Sequence, residues 1–485
     1  MKKRMKRPIA LIASLVLFLC ACGANGEDKA PETTYENVGP STPASEKSEL
    51  DTADVNYSSY EFTVLTAYAN EKNVSIFEDE KNSAAINEKT AERNGAVEKK
   101  FNIKLKEQAS SAVVRDVEDE LLSGESNIDM IYAPAPDVSL LISGTKLVDL
   151  ADFAAFDLTK EHYDKGAVDG LSIGDKTFAL AGDFTLGTLS SASVVLCNDR
   201  LLEMIDAKKP IGKSLYETVE KGEWTFDAMY ELILAADAAG ADDELMPYRG
   251  FFSAADTAFS LASGLGGSIF ARDRSGLPTL NVNTERFADV MEKLLGLKWY
   301  DGRLDYTTVL EDDKRGGRKE NEALFTLSTL GGAKALSDAG ISMSVLPMPK
   351  ANTRDARYSC RVKLSECELA AIPVSTGDLS RSTAVLSELF ALSGGVRDAY
   401  TDELLSGGIH DSERTVQIIA DSKKYDLGDL FGWGDFEKAL ASLIVTDEPM
   451  EGLEEAFGAR SLAAEKALDI LLKRLYGENY KDNIK

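Results

Sequence analysis

The feature that most constrains the fold is an alternation of strand-like and helix-like segments in the first part of the chain. Residues 60–66 alternate apolar and polar side chains as a strand does, and residues 83–100 have helical spacing. A short strand over 103–106, a helix over 113–122 and a buried strand over 128–132 follow. The order strand-helix-strand-helix-strand predicts an α/β fold with a parallel sheet covered by helices.

Each predicted helix has an apolar stripe that is expected to face the sheet. In the first helix the stripe comprises Ile86, Ala91 and Val97. The second helix has a denser stripe, formed by Val113, Val114, Val117, Leu121 and Leu122. In open parallel sheets ligands bind beyond the carboxyl ends of the strands, so the loops over 67–70 and 133–136 are candidate binding loops.

A second α/β region begins near residues 194–198 and has its own helix and strand signals. Thr225 and Thr284 are N-cap residue types at the starts of two predicted helices, over 225–238 and 284–297. Further along, the pattern predicts strands over 341–346 and 368–372 and a helix over 379–392. Several amphipathic helices are expected to continue to Tyr476, and no internal repeat is present.

The amino terminus has the pattern of an export signal. A cationic start, formed by Lys2, Lys3, Arg4, Lys6 and Arg7, precedes an apolar run over 9–19. That run is too short for a membrane span, which needs about 20 residues, so residues 1–21 are predicted to be a signal peptide.

The signal peptide ends in Leu19-Cys20-Ala21-Cys22-Gly23, which resembles a bacterial lipobox. The resemblance implies that Cys22 carries acyl chains. Cys20 is the weaker candidate because bulky Phe18 and Leu19 precede it. A plain signal peptide with an incidental cysteine remains an alternative.

The segment after the anchor predicts a tether. Residues 23–57 are rich in Glu, Asp, Ser, Thr and Pro and poor in large apolar side chains. Such a segment cannot bury enough surface to offset the entropy of ordering, so residues 22–57 are assigned to the lipidated cysteine and a disordered linker.

Length and charge limit the function classes. The body of roughly 430 residues exceeds what one hydrophobic core organises, which predicts two lobes. With 54 basic and 81 acidic residues, the chain has a formal charge of −27, which disfavours nucleic acid as a partner. The charge is typical of solubility outside the cell, and a preference for neutral or cationic solutes stays open.

Cysteine and histidine give no sign of a metal site, and no cofactor is expected. Cys197, Cys360 and Cys367 follow the leader without CxxC spacing, and His162 and His410 are far apart in sequence. Buried free thiols are the expected state. A bridge between Cys360 and Cys367 across a hairpin is the alternative.

Short motifs along the body resemble those of family 1 extracellular solute-binding proteins, the group that contains maltose-binding proteins. The resemblance rests on segments 91–103, 127–131, 222–227, 346–350 and 371–375, in that order. The tail segments Tyr425-Asp426-Leu427-Gly428 and Phe431-Gly432-Trp433-Gly434 resemble a clostridial-type branch. One departure is at 157–163, where relatives often have a tryptophan and this chain has Tyr163 as its aromatic.

The resemblance implies a two-lobed periplasmic-binding-protein type II fold with a hinge and an interlobe cleft. One lobe is expected to comprise 58–183 with 350–405, and the other 184–349 with 406–485. It also implies a monomeric, lipid-anchored protein on the extracytoplasmic face of the membrane that delivers a solute to ABC permease subunits. No enzymatic activity is expected.

For a sugar solute, aromatic platforms and paired polar groups are needed in the cleft, because sugar rings have apolar faces and unpaired buried hydroxyls are costly. Trp224, at a helix start, is predicted to be a core residue instead. The candidate ligand-binding residues are Tyr68, Asn70, Tyr132, Asp183, Phe184, Phe252, Trp299, Tyr300 and Trp433.

Two other classes remain open from the residues. An extracytoplasmic carbohydrate-active hydrolase needs two placed carboxylates, which a chain with 81 acidic residues can supply. A structural or adhesive surface lipoprotein is the third class, but it does not explain the ordered motifs.

Overall fold

The structure is a computed structural model, and it describes most of the chain after the linker. The described residues are 55–68, 76–208, 214–240, 249–254, 258–299, 304–307, 323–338, 340, 343–406, 413–444, 446 and 452–483. For 249–254 and 304–307 the description covers the backbone alone. Cys22, Asn70, Tyr300 and His410 lie outside the described residues.

The described strands are numbered in chain order. They are β1 (Tyr60–Ala67), β2 (Ile103–Ser110), β3 (Met130–Pro134), β4 (Ser193–Asn198), β5 (Arg249–Ala254), β6 (Phe270–Arg272), β7 (Pro278–Leu280), β8 (Leu304–Thr307), β9 (Ala323–Thr329), β10 (Met343–Pro347), β11 (Cys360–Arg361), β12 (Glu368–Ala371) and β13 (Lys423–Lys424).

The described α-helices are numbered in the same way. They are α1 (Ala84–Phe101), α2 (Val113–Ser123), α3 (Ala135–Ser143), α4 (Lys165–Leu171), α5 (Gly187–Ser190), α6 (Asp199–Lys208), α7 (Leu215–Glu220), α8 (Phe226–Gly240), α9 (Ala258–Gly264), α10 (Glu285–Trp299), α11 (Leu330–Asp338), α12 (Leu379–Ala391), α13 (Gly394–Leu405), α14 (Glu413–Asp421), α15 (Leu427–Phe431), α16 (Phe436–Ile444), α17 (Leu453–Tyr476) and α18 (Tyr480–Asn483).

The first sheet has the strand order β12-β3-β1-β2. Strands β1, β2 and β3 are parallel, which confirms the prediction from the alternating pattern. Strand β12 joins β3 antiparallel and comes from much later in the chain. This sheet is buried on both faces, since Met130 and Tyr132 of β3 pack in one hydrophobic cluster and Ile131 and Ala133 in another.

The second sheet has the strand order β10-β4-β9-β5-β8. Strand β4 is antiparallel to both of its neighbours, whereas β5 is parallel to β9 and β8. Two short pairs, β11 with β13 and β6 with β7, complete the described sheets.

Helix α1 departs from its predicted inner face. Ile86 and Val97 are buried as expected, but Ala91 is exposed and Arg93 is buried in its place. The reason is the hydrogen bonds that the Arg93 guanidinium makes to a neighbouring loop and to the start of α13. A charged side chain that finds such partners can occupy an interior position.

Helix α2 also differs from its predicted stripe. Leu122 was expected inside but is 84% exposed, and Glu120 is buried instead. The Glu120 carboxylate accepts hydrogen bonds from the backbone N–H groups of Asn127 and Ile128, at 3.1 and 3.0 Å. It thereby satisfies backbone donors just before β3, which a leucine cannot do.

Two predicted helix starts are confirmed. The Thr225 hydroxyl accepts from the backbone N–H of Ala228 at 3.3 Å, and the Thr284 hydroxyl from that of Phe287 at 3.2 Å. Trp224 is fully buried, as expected of a core residue, and its indole N–H donates to the carbonyl of Pro347.

Two chain segments run between the sheets side by side and antiparallel. The first crossover, residues 180–193, leads to β4, and the second crossover, residues 362–370, leads into β12. Their backbones exchange hydrogen bonds between Leu180 and Ala370, at 2.9 and 3.1 Å, and the N–H of Lys363 donates to the carbonyl of Ser191 at 3.0 Å. We call these two segments the junction.

Three further findings concern the described residues alone. Cys197, Cys360 and Cys367 are buried free thiols, so Cys360 and Cys367 are not bridged. No group of three or more His, Cys, Asp or Glu side chains in the described ranges is placed to hold a metal ion. None of the helices described is both long enough and apolar enough to span a membrane.

Candidate functional site

The carboxyl ends of the parallel strands bring several predicted residues to one edge of the first sheet. Tyr68 directly follows β1, and its backbone N–H donates to the carbonyl of Ser110 at the end of β2, at 2.9 Å. Its side chain is 65% exposed, which is unusual for a large aromatic residue. Tyr68 therefore presents a free aromatic face at the edge where ligands bind in such sheets.

The rings of Tyr132 and Phe184 pack against each other. Tyr132 is paired with Thr66 on β1 and with Ala370 on β12, so its side chain points into the helix-covered core. The two rings meet edge to face with centroids 5.7 Å apart, and both side chains are buried. In this arrangement neither ring offers the open platform that a sugar face requires.

Asp183 is held by an ion pair. Arg397 of α13 donates from Nη1 to Asp183 Oδ2 at 2.8 Å, and the backbone N–H of Asp183 donates to the carbonyl of His162. Burial raises the pKa of Asp183, and the nearby Arg397 partly offsets that effect. The ion pair and the backbone hydrogen bond hold Asp183 in place next to Phe184.

Trp433 belongs to a different aromatic cluster. It stacks on Phe431 with centroids 4.2 Å apart and an interplanar angle of 10°, and meets the edge of Phe270. The side chain is half-buried. Phe252 lies on β5 and Trp299 at the end of α10, but their side chains are outside the described part of the chain.

Arg93 is a polar residue of this region that the sequence reasoning did not select. Its Nη2 donates to the carbonyl of Ile76 at 2.5 Å and its Nη1 to the Ser393 hydroxyl at 3.4 Å. The guanidinium lies 5.1 Å from the Phe184 ring centroid, a cation–π distance. Burial lowers the pKa of Arg93 to about 10. In the sequence, the burial of Arg93 is indicated by its spacing, which puts it on the same face of α1 as Ile86 and Val97.

Glu368 is the second residue that was missed. It begins β12, is only 3% exposed, and its Oε2 has no hydrogen-bond partner. Burial raises the pKa of Glu368 to about 8. No sequence pattern singles out Glu368, because it stands at the start of a segment that has the apolar character of a buried strand.

Glu368 and Tyr132 share one face of the first sheet. Glu368 pairs with Pro134, and Tyr132 pairs with Ala370, so the two side chains are diagonal neighbours across β3 and β12. The Tyr132 hydroxyl, like Glu368 Oε2, lacks a hydrogen-bond partner. Two buried polar groups without partners therefore lie at the carboxyl edge, although such groups are usually satisfied.

A second buried acidic group, in contrast, is fully paired. Arg361 of β11 donates to both carboxylate oxygens of Asp429, each at 2.6 Å, and to Glu437 at 2.8 and 3.2 Å. Arg361 and Asp429 are each 4% exposed at the side chain. Bidentate geometry of this kind is strong, and it binds β11, which directly precedes the second crossover, to helices α15 and α16.

The sequence matches no protein-family model and no curated protein. Among solved structures, a cyclo/maltodextrin-binding protein complexed with maltotetraose is similar with a TM-score of 0.54 and 14% identity, over 86% of this chain and 97% of that chain. The GacH receptor of Streptomyces glaucescens, solved unliganded and with acarbose, has a TM-score of 0.49 and 15% identity over 84% and 98%.

A third similar structure is an ABC substrate-binding protein from Listeria monocytogenes in complex with cycloalternan. Its TM-score is 0.46, with 13% identity over 86% of this chain and 99% of that chain. The likeness to the maltodextrin-binding chain shows the fold: a mixed α/β structure similar to two-lobed maltose-binding-type periplasmic proteins.

Proposed function

We propose that the chain is an extracytoplasmic solute-binding lipoprotein, which captures a sugar or oligosaccharide between its lobes and delivers it to the permease subunits of an ABC importer. The observation that carries this proposal is the structural likeness to a maltodextrin-binding protein over 97% of that chain. The ordered sequence motifs support it independently. The lobe boundaries given above stay part of the proposal.

Capture of this kind needs no bond chemistry. A solute that binds the closed arrangement better than the open one shifts the population toward closure, and release needs only reopening. Micromolar affinity, roughly 8 kcal/mol, is sufficient for such a cycle. The protein therefore needs complementary surfaces and two arrangements of its lobes.

Tyr68 is the residue that we propose as the main aromatic platform, because it is exposed at the carboxyl edge of the first sheet. Tyr132 and Phe184 contact a solute only if their mutual packing opens. The remaining proposed contacts are Asn70, Asp183, Phe252, Trp299, Tyr300 and Trp433.

Calorimetry with maltotetraose, acarbose and cycloalternan tests the solute class. We expect saturable binding of at least one sugar at one site per chain, with the sugar recovered intact by chromatography. Recovery of cleaved products supports a hydrolase instead. Absence of binding across this panel contradicts the proposed sugar specificity.

Two matched variants test the platform. Tyr68→Ala is expected to weaken the affinity for the bound sugar by roughly tenfold, which is about 1.4 kcal/mol. Leu122→Ala removes another exposed apolar side chain, on α2, and is expected to leave the affinity unchanged. Equal effects of the two variants contradict the role of Tyr68.

The lipid anchor has its own test. The Leu19-Cys20-Ala21-Cys22 spacing supports acylation at Cys22. In the native host we expect the chain to incorporate labelled palmitate and to fractionate with membranes, and Cys22→Ala to lose both properties. Continued acylation and membrane association of Cys22→Ala contradict the anchor.

A further inference from the structure

We propose that Glu368 makes the junction sensitive to protons. The uncharged carboxyl group stabilises the arrangement of the two crossovers seen here, and its ionisation favours their separation. As a control on solute capture this inference rests on the proposed function, whereas the proton linkage of the junction is independent of it.

Glu368 lies inside the junction. The two crossovers are joined at one end by the backbone bonds between Leu180 and Ala370 and at the other by the bond from Lys363 to Ser191. Glu368 lies between these two points on the second crossover. Any rotation of one sheet against the other acts on the segments that hold it.

The Glu368 carboxyl group fills space beside the first crossover. A Cβ placed on Gly187, in the first crossover, would lie 3.2 Å from Glu368 Oε2. The carboxyl group of the second crossover thus occupies space that a side chain of the first crossover would otherwise take. Parting the two segments exposes this group to water.

The titratable side chains around Glu368 come from its own segment, from β3 and from α13. Cys367 is its neighbour in the chain, Tyr132 faces it from β3 and Tyr400 faces it from α13, where Glu403 lies near Tyr400. Burial raises the pKa of Tyr132, of Tyr400 and of Cys367, so these groups are neutral at ordinary pH.

No cation among the described residues forms an ion pair with Glu368. Lys423, which acts on the neighbouring Cys367 thiol, is paired with Asp164 at 2.6 Å. One oxygen of Glu403, Oε2, is buried without a hydrogen-bond partner, and a second acid cannot offset a carboxylate charge. The buried guanidinium of Arg93 lies near Tyr132 and donates to Ile76, Ser393 and Asn94. An ionised Glu368 is therefore uncompensated, and a buried charge without a partner is costly.

The direction of the effect follows from the raised pKa. In the arrangement seen here the pKa of Glu368 is about 8, against an ordinary value of 4.5 once water reaches the group. Protonation of Glu368 favours the arrangement in which it is buried, so this arrangement has its full stabilisation below pH 4.5. This stabilisation is lost as the pH rises from about 4.5 to about 8.

The test is small-angle scattering of the full chain without solute, at pH 6 and pH 9. We expect the pair-distance distribution of the wild type to change between the two values. Glu368→Gln is uncharged at both pH values, so its pair-distance distribution is expected to be the same at pH 9 as at pH 6. Glu92→Gln, which neutralises an exposed carboxylate of α1, is the control and is expected to respond as the wild type does.

The proposal is overturned if Glu368→Gln responds to pH as the wild type does, or if the wild type does not respond. Should Glu368→Gln fail to fold, Glu368→Met supplies a second uncharged side chain for the same comparison. With maltotetraose as the probe, we expect the wild-type affinity to differ between pH 6 and pH 9 and that of Glu368→Gln to be constant. If maltotetraose does not bind, the scattering result still decides the proton linkage.

Discussion

Arg361 and Glu368 lie seven residues apart in the chain, and the carboxyl groups at these two sites differ in how they are paired. At Arg361 the carboxylates of Asp429 and Glu437 are both hydrogen-bonded by one guanidinium. At Glu368 the carboxyl group has no cationic partner and one oxygen without any hydrogen bond. Burial alone therefore does not determine what an acidic residue does in this protein.

The Arg361 cluster is held in one arrangement by its ion pairs, whereas the arrangement around Glu368 can change with the charge of its carboxyl group. Removing Arg361 or Asp429 is expected to cost much stability, because each is 4% exposed at the side chain and the other would be left charged and buried. Replacing Glu368 is expected to cost little stability, since its carboxyl group is neutral in this arrangement and makes few polar contacts. The first site ties the C-terminal helices to the rest of the molecule, while the second leaves the junction free to respond to its surroundings.

The largest effect is expected at the paired site. Arg361→Met leaves Asp429 and Glu437 without their cation, and we expect the free energy of unfolding to fall by about 3–5 kcal/mol in urea titrations. The control is Arg354→Met on the exposed loop, which is expected to change it by no more than about 0.5 kcal/mol. A similar loss of unfolding free energy in Arg361→Met and Arg354→Met contradicts the expected role of the Arg361 ion pairs.

Two tyrosines provide a smaller, matched comparison. The Tyr425 hydroxyl donates to Asp164 at 2.7 Å, so Tyr425→Phe is expected to reduce the free energy of unfolding by about 1.5–3 kcal/mol. The Tyr132 hydroxyl has no partner, so Tyr132→Phe is expected to leave this free energy nearly unchanged. A large loss for Tyr132→Phe shows that its hydroxyl is satisfied, by an ordered water for example.

A smaller effect than at Arg361 or Tyr425 is expected at Glu368, and with the opposite sign. Glu368→Met replaces a buried acid that lacks a partner by an apolar side chain, and we expect the free energy of unfolding at pH 8 to rise by about 1 kcal/mol. Because the wild type gains stability at lower pH, the difference is expected to shrink toward pH 5. A loss of stability at pH 8 contradicts the assignment of Glu368 as unpaired.

The parallel part of the first sheet could be predicted from sequence, because it depends on local periodicity. Strands β1 to β3 and the caps at Thr225 and Thr284 follow from patterns within a few residues. The inner faces of α1 and α2 were less predictable. Arg93 and Glu120 are buried because backbone groups elsewhere in the chain accept or donate their hydrogen bonds.

The candidate site was the least predictable part for the same reason. The surroundings of Glu368 come from Gly187, Tyr132 and α13, which lie far from it in sequence. Aromatic residues were selected as platforms by type, and type alone does not tell whether a ring is open, as at Tyr68, or packed, as at Tyr132 and Phe184. That distinction depends on strand register, which the sequence leaves open.

The late arrival of β12 has a consequence for how the molecule forms. The first sheet includes a strand that the ribosome makes only after every strand of the second sheet. The amino-terminal part therefore cannot finish its own core while the chain emerges, and contacts of such long sequence separation form slowly. The edge of β3 that pairs with β12 therefore stays without its partner strand until residues 368–371 have been made.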